Sequence, residues 1–377
     1  MQADVPEGIS APDLGRRGRR PVRGPRPDAG PSLLAPGAAR DPYRLYRVLR
    51  EEYPLSYDAP LRAWLVSRYA DVATALTDPR FTGLPHDAAP RGAPAPLGLC
   101  HGSPRCVPHD QRPATPGPVP CHMPEFGAVP RHMPELEAVP RHMAARIERT
   151  AYVLARRIAG RRQADLVEEF CRWLPFGAAP GASARRYADR LYGTTPGIAY
   201  GPPPGTVTAT ATMATPCTRH TGLRERALAS LLANVLDAPD LLAALRVEPA
   251  LADRAWTESL RRDPPVQVVL RRTVTEVTLS GGTLPAGADV ACLIGAAGRD
   301  PERFAAPDLF DPFRRDQGRS LTGPVSCPAV LLGRLEARQG LRALLDAMPR
   351  LRWADGFRPA GTGLLTRGPR ALLVRPG

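Results

Sequence analysis

Aromatic residues are scarce in this chain, at 6% of its 377 residues. No stretch interleaves basic side chains with stacking aromatics, which argues against a single-strand nucleic-acid binder. Nor does any apolar run approach the roughly 20 residues of a membrane span. The 7 cysteines lack regular spacing, so they do not make a disulfide framework. The N-terminal "GRRGRRPVRGPRP" (15–27) is followed by no apolar segment, and its twin arginines do not read as an export signal. These absences lead to the expectation of a soluble cytoplasmic protein with a disordered basic leader over residues 1–36. No nucleic-acid or membrane partner is expected.

Proline (46 residues) and arginine are over-used, and the formal net charge is +14. A diffuse positive balance of that size suits an acidic partner, including an acidic electron-transfer protein. Four stretches look like ordinary globular sequence. Residues 41–57, "DPYRLYRVLREEYPLSY", have the period of a helix; "AWLVSRY" reads as a strand and "ADVATALTDPRF" as a second helix closed by its proline. From about Val139 to Phe176 the pattern predicts a long amphipathic helix, a glycine break and another helix. From Arg226 to Phe313 come helices, β-type segments at "VVLRRTVTEVTLSGG" and "ADVACLIG", and a proline-rich meander. The last block, from Pro328, predicts one long helix and a final β pair around "GLLTRGPRALLV".

Between them lie 83–138 and 177–222, rich in Pro, Ala, Thr, Arg and His, and expected to be poorly ordered insertions within a single domain spanning 37–377. The first holds a near ten-residue repeat, "VPCHMPEFGA", "VPRHMPELEA", "VPRHMAARIE", which accounts for His122, His132 and His142. The spacing in "CHGSPRCVPHD" matches no standard tetrahedral zinc arrangement. The abrupt edges of both stretches also fit GC-rich coding sequence read in a shifted frame.

Cys327 stands alone in "SLTGPVSCPAVLLGRLEA", just ahead of a predicted helix that begins near Val330. That helix carries Leu332, Leu335 and Leu341 on one side and Arg334, Glu336 and Arg338 on others. A helix N-terminus stabilises a thiolate through its free N–H groups and dipole; the alternative is a buried small hydrophobe. Upstream, Glu258 and Arg261 in "ESLRR" are three apart and share a helix face, where they can pair. Arg314 sits in "FDPFRR", the end of a meander with phenylalanines at 304, 310 and 313.

Taken in order, these pieces resemble the cytochrome P450 family, the haem-thiolate monooxygenases, over the four ordinary blocks. "DPYRLYRVLR" and "WLVSRYADVATALTDPRF" are similar to its opening helix, strand and helix. "ESLRRDPPV" resembles its Glu-x-x-Arg segment, "LSGGTLPAGADVACLIGAAGRDPERF" its hairpin and following helix, and "FDPFR" its meander. The resemblance implies a mainly α fold with small β-sheets and haem b held through the Cys327 thiolate. It further implies a structural triad of Glu258, Arg261 and Arg314, and Arg271 on a haem propionate. The implied activity is insertion of one oxygen atom from O2 into a small organic substrate, in secondary metabolism, with electrons from a ferredoxin-type partner.

Several family positions are changed here. Of Phe-Gly-x-Gly-x-His/Arg-x-Cys-x-Gly, only Gly323 and Cys327 remain among Ser320–Ala329, and Pro328 has no N–H beside the thiolate. The acid and threonine that relay protons fall near Arg226 and Ala227, with Glu225 about 100° away around the helix. Of the propionate-binding segment only "HDQR" (109–112) is left. These changes open an alternative: a non-catalytic auxiliary, such as a glycosyltransferase helper, or an inactive homologue.

Overall fold

The computed structural model describes residues 31–83, 139, 141–178, 221–316, 321 and 328–377. The two proline-rich stretches lie almost wholly outside these, as does most of the leader. Residues 31–36 are within them: Leu33 is buried and Ser32 donates to Asp58.

Asp41 caps α1 (Pro42–Glu52) by accepting from the Tyr43 N–H, with Pro42 in the first turn where its missing N–H is harmless. The helical period of the sequence continues to Tyr57, but the helix ends at Glu52. Pro54 has no N–H to extend it, and Leu55–Asp58 forms β1 instead. Then come β2 (Ala63–Val66), α2 (Tyr69–Thr77) and β3 (Phe81–Gly83). Helix α3 (Arg141–Ala159) stops at Gly160, and β4 (Ala164–Asp165) follows. The second helix expected there breaks into a π-turn, Val167–Cys171, and a 3-10 turn, Leu174–Ala178. Asp165 diverts its start by accepting from both Val167 N–H and Leu372 N–H, and Pro175 prevents a regular end.

Helix α4 (Thr221–Leu236) bends by 104° into α5 (Pro239–Val247), and α6 is Leu251–Arg262. Strands β5 (Val268–Thr273), β6 (Val277–Leu279), β7 (Gly282–Leu284) and β8 (Asp289–Leu293) lead into the short α7 (Ile294–Ala297). The long α8 (Pro328–Ala347) precedes β9 (Arg352–Trp353), β10 (Gly361–Thr362), β11 (Gly368–Pro369) and β12 (Leu373–Arg375).

The main sheet has the order β1-β2-β8-β5-β3, with only β2 and β8 parallel. Strand alternation sends Val66, Val269, Val290 and Cys292 to one face, against α2. Leu65, Val268, Ala291 and Leu293 go to the other, against Tyr46 and Leu49 of α1. A separate helical core joins α3, α4, α5, α6 and α8. Among the described residues no single helix is long and apolar enough to cross a membrane.

Candidate functional site

Glu258 is fully buried on α6. Arg261, one turn on, donates from Nε and Nη2 to its two carboxylate oxygens, each at 2.8 Å. Arg314 donates to Glu258 Oε1 at 2.9 Å, and the Asp311 N–H does so at 3.0 Å. Arg261 also donates to the carbonyls of Gly298, Pro307 and Leu309, while Arg314 donates to that of Ala305. One carboxylate thus organises two guanidiniums, and the guanidiniums hold the turns from Gly298 to Leu309. Each hydrogen bond to water that the buried carboxylate gives up is replaced by a donor from the protein, which is the condition for a buried ion pair to hold a fold together. Phe304 lies under the Arg261 guanidinium, 5.3 Å from centroid to Cζ.

A second knot, not anticipated from sequence, sits at the end of α6. Asp263 accepts from Arg299 at 2.7 Å, Tyr43 at 3.0 Å and Asn234 at 3.2 Å. Burial alone would raise its carboxyl, but Arg299, Arg262 and these bonds hold it below the usual range. Arg299 also pairs with Asp308 and stacks on Tyr43 at 3.5 Å. A cavity of about 300 Å³ opens beside this knot, between Tyr43, Asn234, Arg262 and Arg367. Its principal charges are already engaged, so it shows packing rather than reactivity.

Arg271 differs from every cation in those knots. It lies on β5 at 2% exposure, and its Nε and Nη2 have no hydrogen-bond partner; only Nη1 finds an acceptor, the Leu270 carbonyl. Burial depresses its pKa, and Cys292, the titratable group that acts on it, is a thiol pushed up to about 12 by burial and so brings no compensating charge. Two buried guanidinium donors without acceptors match one planar anion in spacing and charge. A haem propionate is such a group, so Arg271 fits the cofactor that the sequence pattern implies. Leu321 packs on the cluster containing Val269, Val290 and Cys292. The segment leading to Cys327 therefore begins against the face of the sheet to which β5 contributes. Gly323 and Cys327 themselves lie outside the described residues, as does "HDQR".

On α4, Ala227 is buried and Arg226 lies against β11; a Cβ at Gly368 would stand 2.9 Å from Arg226 Cβ. One turn of α8 corrects the sequence reading. Glu336, expected on the polar side of that helix with Arg334 and Arg338, is 1% exposed and pairs with buried Arg224 of α4. Helical period alone misassigned it because its partner is on another helix, inside "GLRERALASLL". Arg334 does find a partner near the surface, Asp253, at 2.7 Å.

Residues 249–322 match the cytochrome P450 family model. Pulcherriminic acid synthase of Bacillus subtilis is 33% identical over 162 residues, 40% of each chain. Protein DesVIII of Streptomyces venezuelae is 44% identical over 131 residues, 33% of this chain and 32% of that one. Cytochrome P450 107B1 of Saccharopolyspora erythraea is 40% identical over 154 residues, 39% of this chain and 37% of that one. The chain thus spans well under half the length of these curated relatives. The crystal structure of CYP109E1 from Bacillus megaterium, in complex with testosterone, aligns with 90% of this chain and 98% of its own. Its TM-score is 0.65 at 19% identity. Over these stretches the chain is similar to bacterial cytochrome P450s, and it has their fold.

Proposed function

We propose that this protein is a haem-thiolate monooxygenase that inserts one oxygen atom from O2 into a small organic substrate. The unpartnered buried donors of Arg271 carry this reading. Haem b bound through a thiolate would supply oxygen activation, since electron density from sulfur favours O–O cleavage. Cys327 would hold the iron, with Gly323 in the same cofactor-binding segment, and Arg271 would hold a propionate. Glu258, Arg261 and Arg314 would act at a distance, fixing the turns of the meander as a rigid floor. A ferredoxin-type protein would deliver electrons in the cytoplasm. The substrate class is supported by relatives: one is named for synthesis of pulcherriminic acid, and a fold neighbour is captured with testosterone. A role in secondary metabolism goes with the same reading.

The test is spectroscopic. Reduced protein under carbon monoxide should show the red-shifted Soret band of thiolate-ligated haem, and Cys327→Ser should abolish it. Arg271→Gln should weaken haem retention about tenfold, the value of a charged hydrogen bond in a buried site. Colourless protein that takes up no added haem would overturn the proposal.

One observation favours a second reading, a non-catalytic auxiliary or inactive homologue. Ala227 has no hydroxyl, and Arg226 beside it is a permanent cation, so neither moves a proton as a carboxyl and threonine would. On that reading the protein binds haem or a partner without turnover. Sustained product formation coupled to electron use would exclude it.

A further inference from the structure

The pair between α4 and α8 has a feature that the triad lacks: it is incompletely satisfied. Arg224 Nη1 donates to Glu336 Oε1, and Nη2 reaches the Pro175 carbonyl at 3.3 Å. Glu336 Oε2, Arg224 Nε and Trp256 Nε1 are all buried with no hydrogen-bond partner. Gly333, one turn earlier on α8, makes the arrangement possible. A Cβ there would stand 3.0 Å from Trp256 Cζ2 and 3.7 Å from Arg224 Cγ. Glycine therefore leaves a furrow on α8 in which the arginine stem and the indole lie together.

The surroundings of Glu336 hold few charges. From α4 it meets Arg224, whose Nη2 is turned to the Pro175 carbonyl of the 3-10 turn, and the Trp256 indole of α6 lies beside Gly333. Glu225, next to Arg224, is engaged with Arg172 at 3.8 Å. A carboxyl this enclosed is pushed up to about 7 by burial, with Arg224 as the charge that opposes the rise. Its bare Oε2 is the atom left to take a proton.

We propose that Arg224 and Glu336 form a proton-operated clamp between α4 and α8, whose grip depends on whether Glu336 Oε2 is protonated. The role of the clamp in cofactor binding rests on the haem reading above: α8 starts at Pro328, directly after Cys327, and α4 carries the positions that would face the haem. The sign follows from linkage. The folded carboxyl titrates near 7 against 4.5 for the free group. Its contribution to stability is fully present below about 4.5 and is lost as pH rises through about 7. Protonation exchanges the ion pair for a neutral carboxyl that costs less to bury, so the packing of α4 on α8, which starts one residue after Cys327, is more stable in mild acid than in mild base.

The deciding measurement is thermal melting of haem-free protein between pH 5 and pH 8. Wild type should lose on the order of 5 °C over that range relative to Glu336→Gln, which mimics the protonated carboxyl throughout. Arg224→Gln should move the same loss to higher pH, because the opposing charge is gone. Parallel melting curves for wild type and Glu336→Gln would overturn the clamp. So would a loss that stays at the same pH in Arg224→Gln. Haem titration then tests the coupling: retention should weaken several-fold from pH 6 to pH 8 in wild type and stay level in Glu336→Gln. A parallel decline in both would overturn the coupling. Failure of either protein to bind haem at all would count against the monooxygenase proposal, while the melting curves still decide the clamp.

Discussion

At the scale of single residues, the buried charges divide by how completely they are satisfied. Glu258 receives two arginines and a backbone N–H, so removing it leaves buried Arg261 without a carboxylate partner and Arg314 with only Asp316, at 3.4 Å. Glu258→Ala should cost about 3–5 kcal/mol, the range for breaking a buried pair from one side. Insoluble protein or a large drop in the urea midpoint is expected. A soluble variant with an unchanged midpoint would contradict the triad's role as a fold anchor. The Glu258–Arg261 pairing was readable from a spacing of three on a helix. Its burial was not, because the same spacing also describes a solvated surface pair. Arg314 entered only through the family resemblance, since 56 positions separate it from Glu258. Arg224 and Glu336, 112 positions apart, had no local signal beyond a charge within each apolar helix pattern.

Elements end where backbone chemistry forces them to. Pro54 turned a continuing helical period into a strand, and Pro239 restarts the chain as α5 after the 104° bend. Close approach decides other positions. Gly298, just after α7, has an ordinary helical backbone, but a Cβ there would stand 2.2 Å from the Arg261 carbonyl oxygen. The contact is with backbone, which cannot rotate away as a side chain would. Gly298→Ala should therefore destabilise by about 1–3 kcal/mol, as overpacking does. Chemical denaturation would check this, and an unchanged midpoint would mean that α7 can shift away from α6. The pattern from Arg226 to Phe313 predicted strands and meander in their correct order. The break-up of the segment after β4 did not follow from that pattern, because Asp165 is drawn to the Leu372 N–H from the far end of the chain.

For the molecule as a whole, the net charge of +14 bears on association rather than fold. If an acidic ferredoxin-type protein delivers electrons, its docking is steered by exposed arginines, and their field is screened within about 10 Å at 0.1 M salt. Reduction rates should then fall steeply as salt rises; a rate independent of salt would exclude steering. The sequence by itself determined the order of elements, the family likeness and the candidate ligands, because helical period, proline and short motifs are local properties. Only the tertiary structure decided that Arg271 keeps two donors unpaired, that Glu336 is buried and that Asp263 gathers three hydrogen-bond donors. A side chain's solvation and charge depend on neighbours brought from distant parts of the chain, and no local pattern specifies them.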